Sequence, residues 1–165
     1  MEKYVIITIY PTKEADKMVC TFFGHSFSPS NIIPTLEAEL ENLIINHNVN
    51  LFYVGNNGNF DSYVRNSLRR LQKRYSHIKY YVVLAYMPRK KSGDIIMENY
   101  SDTILPDEIE NAPKKFAIAY RNKWMIEQAD YVITYVKCSG GGAAQFAKLA
   151  ERKNKICINL ANITQ

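Results

Sequence analysis

The chain has 165 residues, of which 47% are hydrophobic, and it carries a formal net charge of +5. This length suffices for one sizeable hydrophobic core and is too short for two domains of ordinary size. The apolar run over residues 4–10 is too short to span a membrane, and no cleavage site of small residues follows it, so we expect a cytoplasmic protein without a membrane span.

Three cysteines, Cys20, Cys138 and Cys157, lie far apart and show neither CxxC nor His-paired spacing. This pattern argues against a disulfide framework and against a zinc site. The sequence therefore predicts no metal, and it predicts thiols that are buried and reduced, with a catalytic thiol as the weaker alternative.

Charge is segregated along the chain. Residues 62–92 contain nine Lys or Arg and no acid, whereas residues 94–110 contain six Asp or Glu and no base. Either the basic stretch binds an anionic partner such as nucleic acid, or the acidic stretch lies against it. We favour the second interpretation.

Short apolar runs alternate with segments of helical periodicity. Residues 18–23, MVCTFF, form the continuous apolar run expected of a parallel strand that is buried on both faces. Residues 31–46 have apolar side chains at helical spacing, which predicts a helix, and residues 50–54 predict the second strand. In the next predicted helix Asp61 lies near the start, where a carboxylate suits the helix dipole. The apolar face of that helix comprises Val64, Leu68, Leu71 and Tyr75.

The second half of the chain continues this alternation. A third strand is predicted over residues 79–86 and ends before Pro88, because proline cannot continue an interior sheet ladder. Residues 89–113 show no sustained periodicity, and a connection of that length is often a functional lid. The remaining predicted elements are a helix over 115–129, a strand over 131–136, a helix with Phe146, Leu149 and Ala150 on one face, and a strand over 155–160.

Strands joined through helices imply a mainly parallel sheet with right-handed crossovers and helices on both faces. The predicted fold is therefore an α/β, Rossmann-like three-layer sandwich formed as a single domain by residues 18–165. Residues 1–17 precede this pattern as an N-terminal extension, in which residues 4–10 are a candidate edge strand.

Three of the predicted strands are followed by loops rich in glycine and small polar residues. In open parallel sheets, ligands bind outside the carboxyl ends of the strands. Glycines let the backbone approach an anion, and the start of the next helix offers unpaired N–H groups. We therefore expect these loops to form one ligand site. Its candidate residues are Gly24 and His25 in the first loop, Gly55, Asn56 and Asn57 in the second, and Ser139, Gly140, Gly141, Gly142 and Ala143 in the third.

Several candidates have a structural alternative. His25 either contacts a ligand or caps the next helix, and the asparagine pair either binds a sugar or base or forms a turn. Arg121, with Asn122 beside it, either binds a phosphate or makes a surface ion pair. The residues expected to serve the fold are Trp124, Met125 and Asp130.

Several segments resemble a known family. RNKWMIEQADYVITYVKCSGGGAAQFAKLAERKNKICINL is similar to the carboxyl half of the SLOG superfamily, which joins the Lonely Guy cytokinin-activating enzymes with the DNA-processing protein A fold. CTFFGHS, VGNNGNFD and LAYMP resemble its small bacterial or phage branch, which includes YpsA-like proteins. The resemblance covers about residues 18–160. It implies a Rossmann-like domain whose glycine loop binds the phosphate of a nucleotide or nucleotide-derived ligand, and it implies a homodimer, with residues 4–10 as a candidate contact.

The resemblance also bears on catalysis. Lonely Guy enzymes hydrolyse a nucleoside monophosphate with an Arg in an RxxxM helix and a Glu after a PGGxGT loop. Arg121 and Met125 match the first motif, but the Glu of the second falls on Ala147 or Lys148, so the carboxylate is missing there. The other departures are Ser139 or Gly140 in place of the motif's proline, and Gly24-His25-Ser26 in place of GHR.

The leading hypothesis is binding without turnover, for sensing or sequestration, and it involves no cofactor. Residues 140–143 hold a phosphate, Arg121 neutralises it, and His25, Asn56 and Asn57 contact the sugar or base.

Two further functions are alternatives. N-glycosidase or phosphoribohydrolase activity requires a different acid, for which Asp61 and Asp102 are candidates. Single-stranded nucleic-acid binding would use the second predicted helix, although five bases within ten residues cannot share one narrow face. These bases are Arg65, Arg69, Arg70, Lys73 and Arg74.

Overall fold

The computed structural model describes residues 16–86 and 102–163. The strands are β1 (Met18–Gly24), β2 (Val49–Val54), β3 (Lys79–Val83), β4 (Thr103–Ile104), β5 (Tyr131–Tyr135) and β6 (Ile156–Asn159). The α-helices are α1 (Ile33–Asn46), α2 (Gly58–Arg74), α3 (Asp107–Glu110), α4 (Ala117–Gln128) and α5 (Gly142–Arg152). Single 3-10 turns are formed by Ser30–Ile32, Lys114–Phe116 and Leu160–Asn162.

The six strands form one parallel sheet in the order β4-β3-β2-β1-β5-β6. The chain runs from β1 through β2 and β3 to the edge strand β4, and it then crosses to the other side of β1 for β5 and β6. The strand order therefore reverses between β1 and β5, where the loops diverge and leave a crevice. This topology confirms the predicted α/β, Rossmann-like class.

Side chains of β1 alternate between two hydrophobic cores, one on each face of the sheet. Cys20 and Phe22 pack in the core that α1 and α2 cover, whereas Val19 and Phe23 pack in the core that α3, α4 and α5 cover. All four side chains are buried. A strand covered on both faces is apolar at nearly every position, which explains the apolar run in this segment. Its polar residue, Thr21, is buried, and its hydroxyl donates to the carbonyl of Tyr53 at 2.9 Å. The predicted three layers are confirmed.

Helix α1 shows how a local pattern and the core agree. Pro34 lies in its first turn, where the missing N–H of proline costs no helical hydrogen bond. Leu36, Leu40 and Leu43 then recur at helical spacing and are fully buried against the sheet.

The residues expected to serve the fold do so. The ring of Trp124 lies 5.1 Å from that of Tyr53, and Met125 is buried. Asp130 Oδ2 accepts a hydrogen bond from the N–H of Val19 at 2.9 Å, and the N–H of Asp130 donates to the carbonyl of Val19 at 2.8 Å. These two bonds join the start of β1 to the start of β5.

Two predictions in the middle of the chain need correction. The third strand ends at Val83 rather than at residue 86, and the N–H of Leu84 donates to the carbonyl of Ile104 at 2.8 Å. The segment predicted to lack regular structure contains β4 and α3, which are too short to produce a periodic pattern. The predicted lid falls partly on residues 87–101, and the candidate edge strand on residues 4–10, both of which lie outside the described residues.

The three cysteines are free and differ in exposure. Cys20 is buried, which raises the pKa of its thiol, and Cys157 is half-buried. Cys138 is exposed because it lies in the loop after β5, so the prediction of a buried thiol is wrong there. Within residues 16–86 and 102–163, no three His, Cys, Asp or Glu side chains are grouped as a metal site. No helix in the same ranges combines the length and apolar character needed to cross a membrane.

The end of β1 provides a test of the packing. A Cβ at Gly24 would overlap the ring of Phe60, which is buried and stacks on Tyr135. We expect Gly24→Ala to lower the free energy of unfolding by roughly 1–3 kcal/mol, measured by urea denaturation, because the ring cannot move away. Gly140→Ala is the matched control, since no atom lies within 4 Å of a Cβ there. Equal stability of the two variants would contradict the packing described.

Candidate functional site

A cleft of about 180 Å³ opens at the carboxyl ends of β1 and β2 and is bounded by α4 and the start of α5. It lies at the carboxyl-terminal end of the sheet, beside the reversal of strand order, where doubly wound folds bind ligands. Its walls therefore come from loops that are distant in sequence. The predicted site residues that line it are Gly24, Gly55, Asn57, Arg121, Asn122, Gly142 and Ala143.

Arg121 is the buried cation of this cleft, with 3% of its surface exposed. Its Nε donates to Asn122 Oδ1 at 3.1 Å, and its Nη1 donates to Asn56 Oδ1 at 2.8 Å. A guanidinium has five N–H donors. Among the described residues these two amide oxygens are its acceptors, which leaves three N–H groups without a described acceptor.

The environment of Arg121 is not that of a surface ion pair. Glu127, the nearest acid along α4, instead pairs with Lys153 at 3.4 Å. Burial lowers the pKa of Arg121, and the charge of Asp61 opposes that effect. Because arginine stays protonated in proteins, the cleft contains a fixed positive charge.

Asp61 is the carboxylate of the same cleft, and it was not among the predicted binding residues. It lies in the first turn of α2, but it is only 7% exposed, and its Oδ2 accepts a hydrogen bond from the N–H of Asn57 at 3.0 Å. Burial raises the pKa of Asp61, whereas the Asn57 N–H and the charges of Arg121 and Arg65 act to lower it.

Gly55 allows the charged groups to approach one another. A Cβ at this position would lie 2.5 Å from Asp61 Oδ2 and 3.4 Å from Arg121 Cζ. A side chain would therefore force the carboxylate or the guanidinium out of place. Arg65 completes the loop by donating from Nη1 to the carbonyl of Gly55 at 3.3 Å.

A sequence signal for Asp61 exists, although an acid in a first helical turn is normally explained by the dipole alone. Asp61, Val64 and Leu68 follow the spacing of one helix face, and all three are buried. A carboxylate on the apolar face of a helix therefore indicated a buried polar site.

The start of α5 supplies a second positive element. Gly141 is its N-cap, and no side chain caps the helix. The N–H of Gln145 makes the first intrahelical bond, to the carbonyl of Gly141 at 3.1 Å. The N–H groups of the first helical residues have no acceptor among the described residues, as is usual at a helix start. Since Gly142 and Ala143 line the cleft, these donors lie at its wall.

Other predicted residues lie around the cleft rather than in it. Gly140 and Gly141 are exposed and precede the helix, and no atom lies within 4 Å of a Cβ built on either. Ser139 lines a separate hollow beside α5 and β6. Of the glycine loop, only Gly142 and Ala143 line the cleft.

His25 does not cap the next helix, and its contact with a ligand stays a prediction. Its Nε2 accepts a hydrogen bond from the N–H of Lys137 at 3.1 Å and lies 3.9 Å from the sulfur of Cys138. It therefore connects the loop after β1 with the loop after β5, instead of capping a helix or lining the cleft.

The basic face of α2 is partly neutralised by α1. Arg70 Nε donates to Glu37 at 2.8 Å, and Arg74 pairs with Glu41. Within the described ranges, the ion pairs of α2 are made with α1. This arrangement is typical of a solvated surface, so the geometry does not favour nucleic-acid binding there. Residues 94–101 of the acidic stretch lie outside the described ranges, so their contact with the basic stretch stays a prediction.

The sequence matches no protein-family model and no curated protein. The site is therefore characterised by its own geometry, which combines a buried cation, a buried carboxylate and an uncapped helix start around one cleft.

The raised pKa of Asp61 predicts a pH-dependent stability. An Asp in an unfolded chain has a pKa of about 3.9. Folding favours the protonated carboxyl of Asp61. Its contribution to the free energy of unfolding is therefore fully present below the pKa of the unfolded chain, and it is lost as the pH rises through the pKa of the folded protein. In urea denaturation from about pH 4 to 8, we expect Asp61→Asn to gain stability relative to the wild type as the pH rises.

Glu108→Gln is the control for that experiment, since it makes the same change of charge at an exposed position on α3. A trend shared by both variants would reflect net charge alone and would contradict the role of Asp61 burial.

Proposed function

We propose that the protein binds a nucleotide or a nucleotide-derived small molecule in this cleft. One observation carries the proposal: a buried arginine and an uncapped helix start line the same cleft, beside the reversal of strand order. Binding serves to sense or to sequester the ligand, and it requires no turnover.

The phosphate is the best-supported part of the ligand. Arg121 presents planar N–H donors that suit two phosphate oxygens at once. The start of α5 adds backbone N–H groups and the positive end of the helix dipole. Because the two amide oxygens of Asn56 and Asn122 hold the guanidinium in place, little side-chain freedom is lost on binding.

The neighbouring polar groups suit a sugar. Asp61 accepts one backbone N–H and has capacity for further donors, such as ribose hydroxyl groups. Asn57 also lines the cleft and offers both a donor and an acceptor. The resemblance of the RxxxM helix and the glycine loop to the SLOG superfamily supports a nucleotide in preference to other phosphate esters.

A screen with paired variants tests this proposal. Nucleoside monophosphates, cyclic dinucleotides, NAD and ADP-ribose are compared by thermal shift, and binders are titrated by calorimetry. A ligand at 100 times its Kd stabilises the fold by about 2.7 kcal/mol. We expect Arg121→Ala to weaken binding by at least about tenfold, because it removes charge-assisted hydrogen bonds. Arg69→Ala, at an exposed position on α2, is the control of equal charge change.

Ala143→Asp gives a sharper signature, because binding and stability should move in opposite directions. A carboxylate in the first turn stabilises the helix by about 0.3–1 kcal/mol, but it repels a phosphate at the cleft wall. Gln145→Asp adds the same charge to the exposed side of this helix and should leave binding intact. Unchanged binding in both Arg121→Ala and Ala143→Asp would place the phosphate elsewhere.

Asp61 favours a second candidate function, hydrolysis of the N-glycosidic bond. The carboxylate missing at Ala147 or Lys148 is supplied in the cleft by Asp61, whereas Asp102 is exposed and does not line it. In this reaction water adds to C1′ of the ribose, the C–N bond breaks, and the base leaves with a proton. A carboxyl group with a raised pKa can donate that proton.

Turnover is tested by chromatography of nucleoside monophosphates after incubation with the protein. Hydrolysis should release free base and ribose 5-phosphate in equal amounts, and Asp61→Asn should slow it by about 100-fold or more while nucleotide binding persists. Intact nucleotide recovered from the wild-type protein would leave binding as the function.

A further inference from the structure

We propose that Phe27 is the platform on which the base of the bound nucleotide stacks, an inference that rests on the proposed nucleotide binding. Phe27 is 94% exposed, the highest value among the large hydrophobic residues that the structure describes. It lies three residues after the end of β1, in the loop that separates this strand from the first 3-10 turn. Its ring therefore makes almost no contact with the rest of the domain.

The loop around Phe27 is held rigidly, so the exposed ring is not the result of a loose segment. Ser28 is buried, its N–H donates to Asn59 Oδ1 at 2.7 Å, and its hydroxyl donates to the carbonyl of His25 at 2.8 Å. The carbonyl of Ser28 accepts from Asn59 Nδ2 at 2.9 Å and from the hydroxyl of Tyr63 at 3.2 Å.

The other neighbour of Phe27 is fixed as well. The carbonyl of Ser26 accepts from the N–H of Asn59 at 3.0 Å. Hydrogen bonds from α2 thus hold both residues that flank the ring. A preorganised aromatic side chain loses little conformational freedom when a ligand stacks on it.

The position of Phe27 in the chain indicates which part of a ligand would stack on it. Ser26, its direct neighbour, lines the cleft. At about 180 Å³ the cleft is smaller than the pockets of roughly 300–1,000 Å³ that enclose drug-sized ligands. With the phosphate at Arg121, the cleft accommodates phosphate and sugar, and the base lies at the mouth. We place the base over Phe27, the exposed aromatic residue next to Ser26 in the chain.

Stacking of a base on an aromatic ring depends on the π-face, which every base has. Phe27 therefore adds affinity for nucleotides over base-free sugar phosphates, with little preference among the four bases. The platform separates two parts of recognition, since Arg121 acts on the phosphate and Phe27 on the base.

The experiment compares the four ribonucleoside monophosphates with ribose 5-phosphate by calorimetry. The variants are Phe27→Ala, Phe27→Trp and, as a control, Phe116→Ala, which removes another exposed phenylalanine. We expect Phe27→Ala to weaken nucleotide binding by about tenfold and to leave ribose 5-phosphate binding unchanged. Phe27→Trp should retain nucleotide binding, and Phe116→Ala should match the wild type. Since the ring contacts so little of the domain, thermal unfolding of Phe27→Ala should also match the wild type.

Four outcomes overturn the inference, and they are distinguishable. If nucleotides bind the wild type no more tightly than ribose 5-phosphate, or if Phe27→Ala weakens both equally, the base is not stacked and the proposed phosphate site stands. If the wild type binds neither class, the proposed function fails with it. If Phe27→Ala changes the oligomeric state in light scattering, a second copy of the chain covers the ring instead.

Discussion

Arg121 must remain charged in a place from which the fold has removed almost all water, and the loops around the cleft are arranged to meet that requirement. Desolvation of an ion costs several kcal/mol unless hydrogen bonds and an opposite charge compensate for it. The compensation comes from the loop after β2 through Asn56, from α2 through Asp61, and from α4 through Asn122. One cation on α4 thereby fixes the position of two elements from the first half of the chain.

Asp61 compensates only in part for the desolvation of Arg121. Asp61 is itself buried, and its pKa is raised, so its negative charge is disfavoured even beside a cation. In the proposed complex, the phosphate of the ligand would be a second anionic group beside Arg121. Its affinity would then be linked to the ionisation of Asp61, because both depend on the same desolvated charge.

The fold was predictable because its central strands are buried on both faces, which leaves unbroken apolar runs such as the one that contains Val19 and Phe22. The location of the cleft followed from the order of strands and helices, and residues of all three predicted loops line it, whereas its charged groups Asp61 and Arg121 lie in α2 and α4. Asp61 was named only as a candidate acid and not as a binding residue, because local sequence explains it as a dipole residue, whereas its burial depends on packing against distant elements. Ser139 lines the second hollow rather than the cleft, since a continuous loop can turn its residues toward two different hollows.

Strand β1 lies at the centre of the sheet and is the first strand of the described chain, yet one of its two neighbours is β5. The hydrogen bond between Val19 and Asp130 spans 111 positions of sequence. Contacts of such separation form late, because a long loop must close before they contribute. During synthesis, the first three strands and their helices can assemble while β5 is still unmade. The cleft needs α4 and α5 as well, so it is completed only when the second half has docked, and the proposed ligand would stabilise the two halves together.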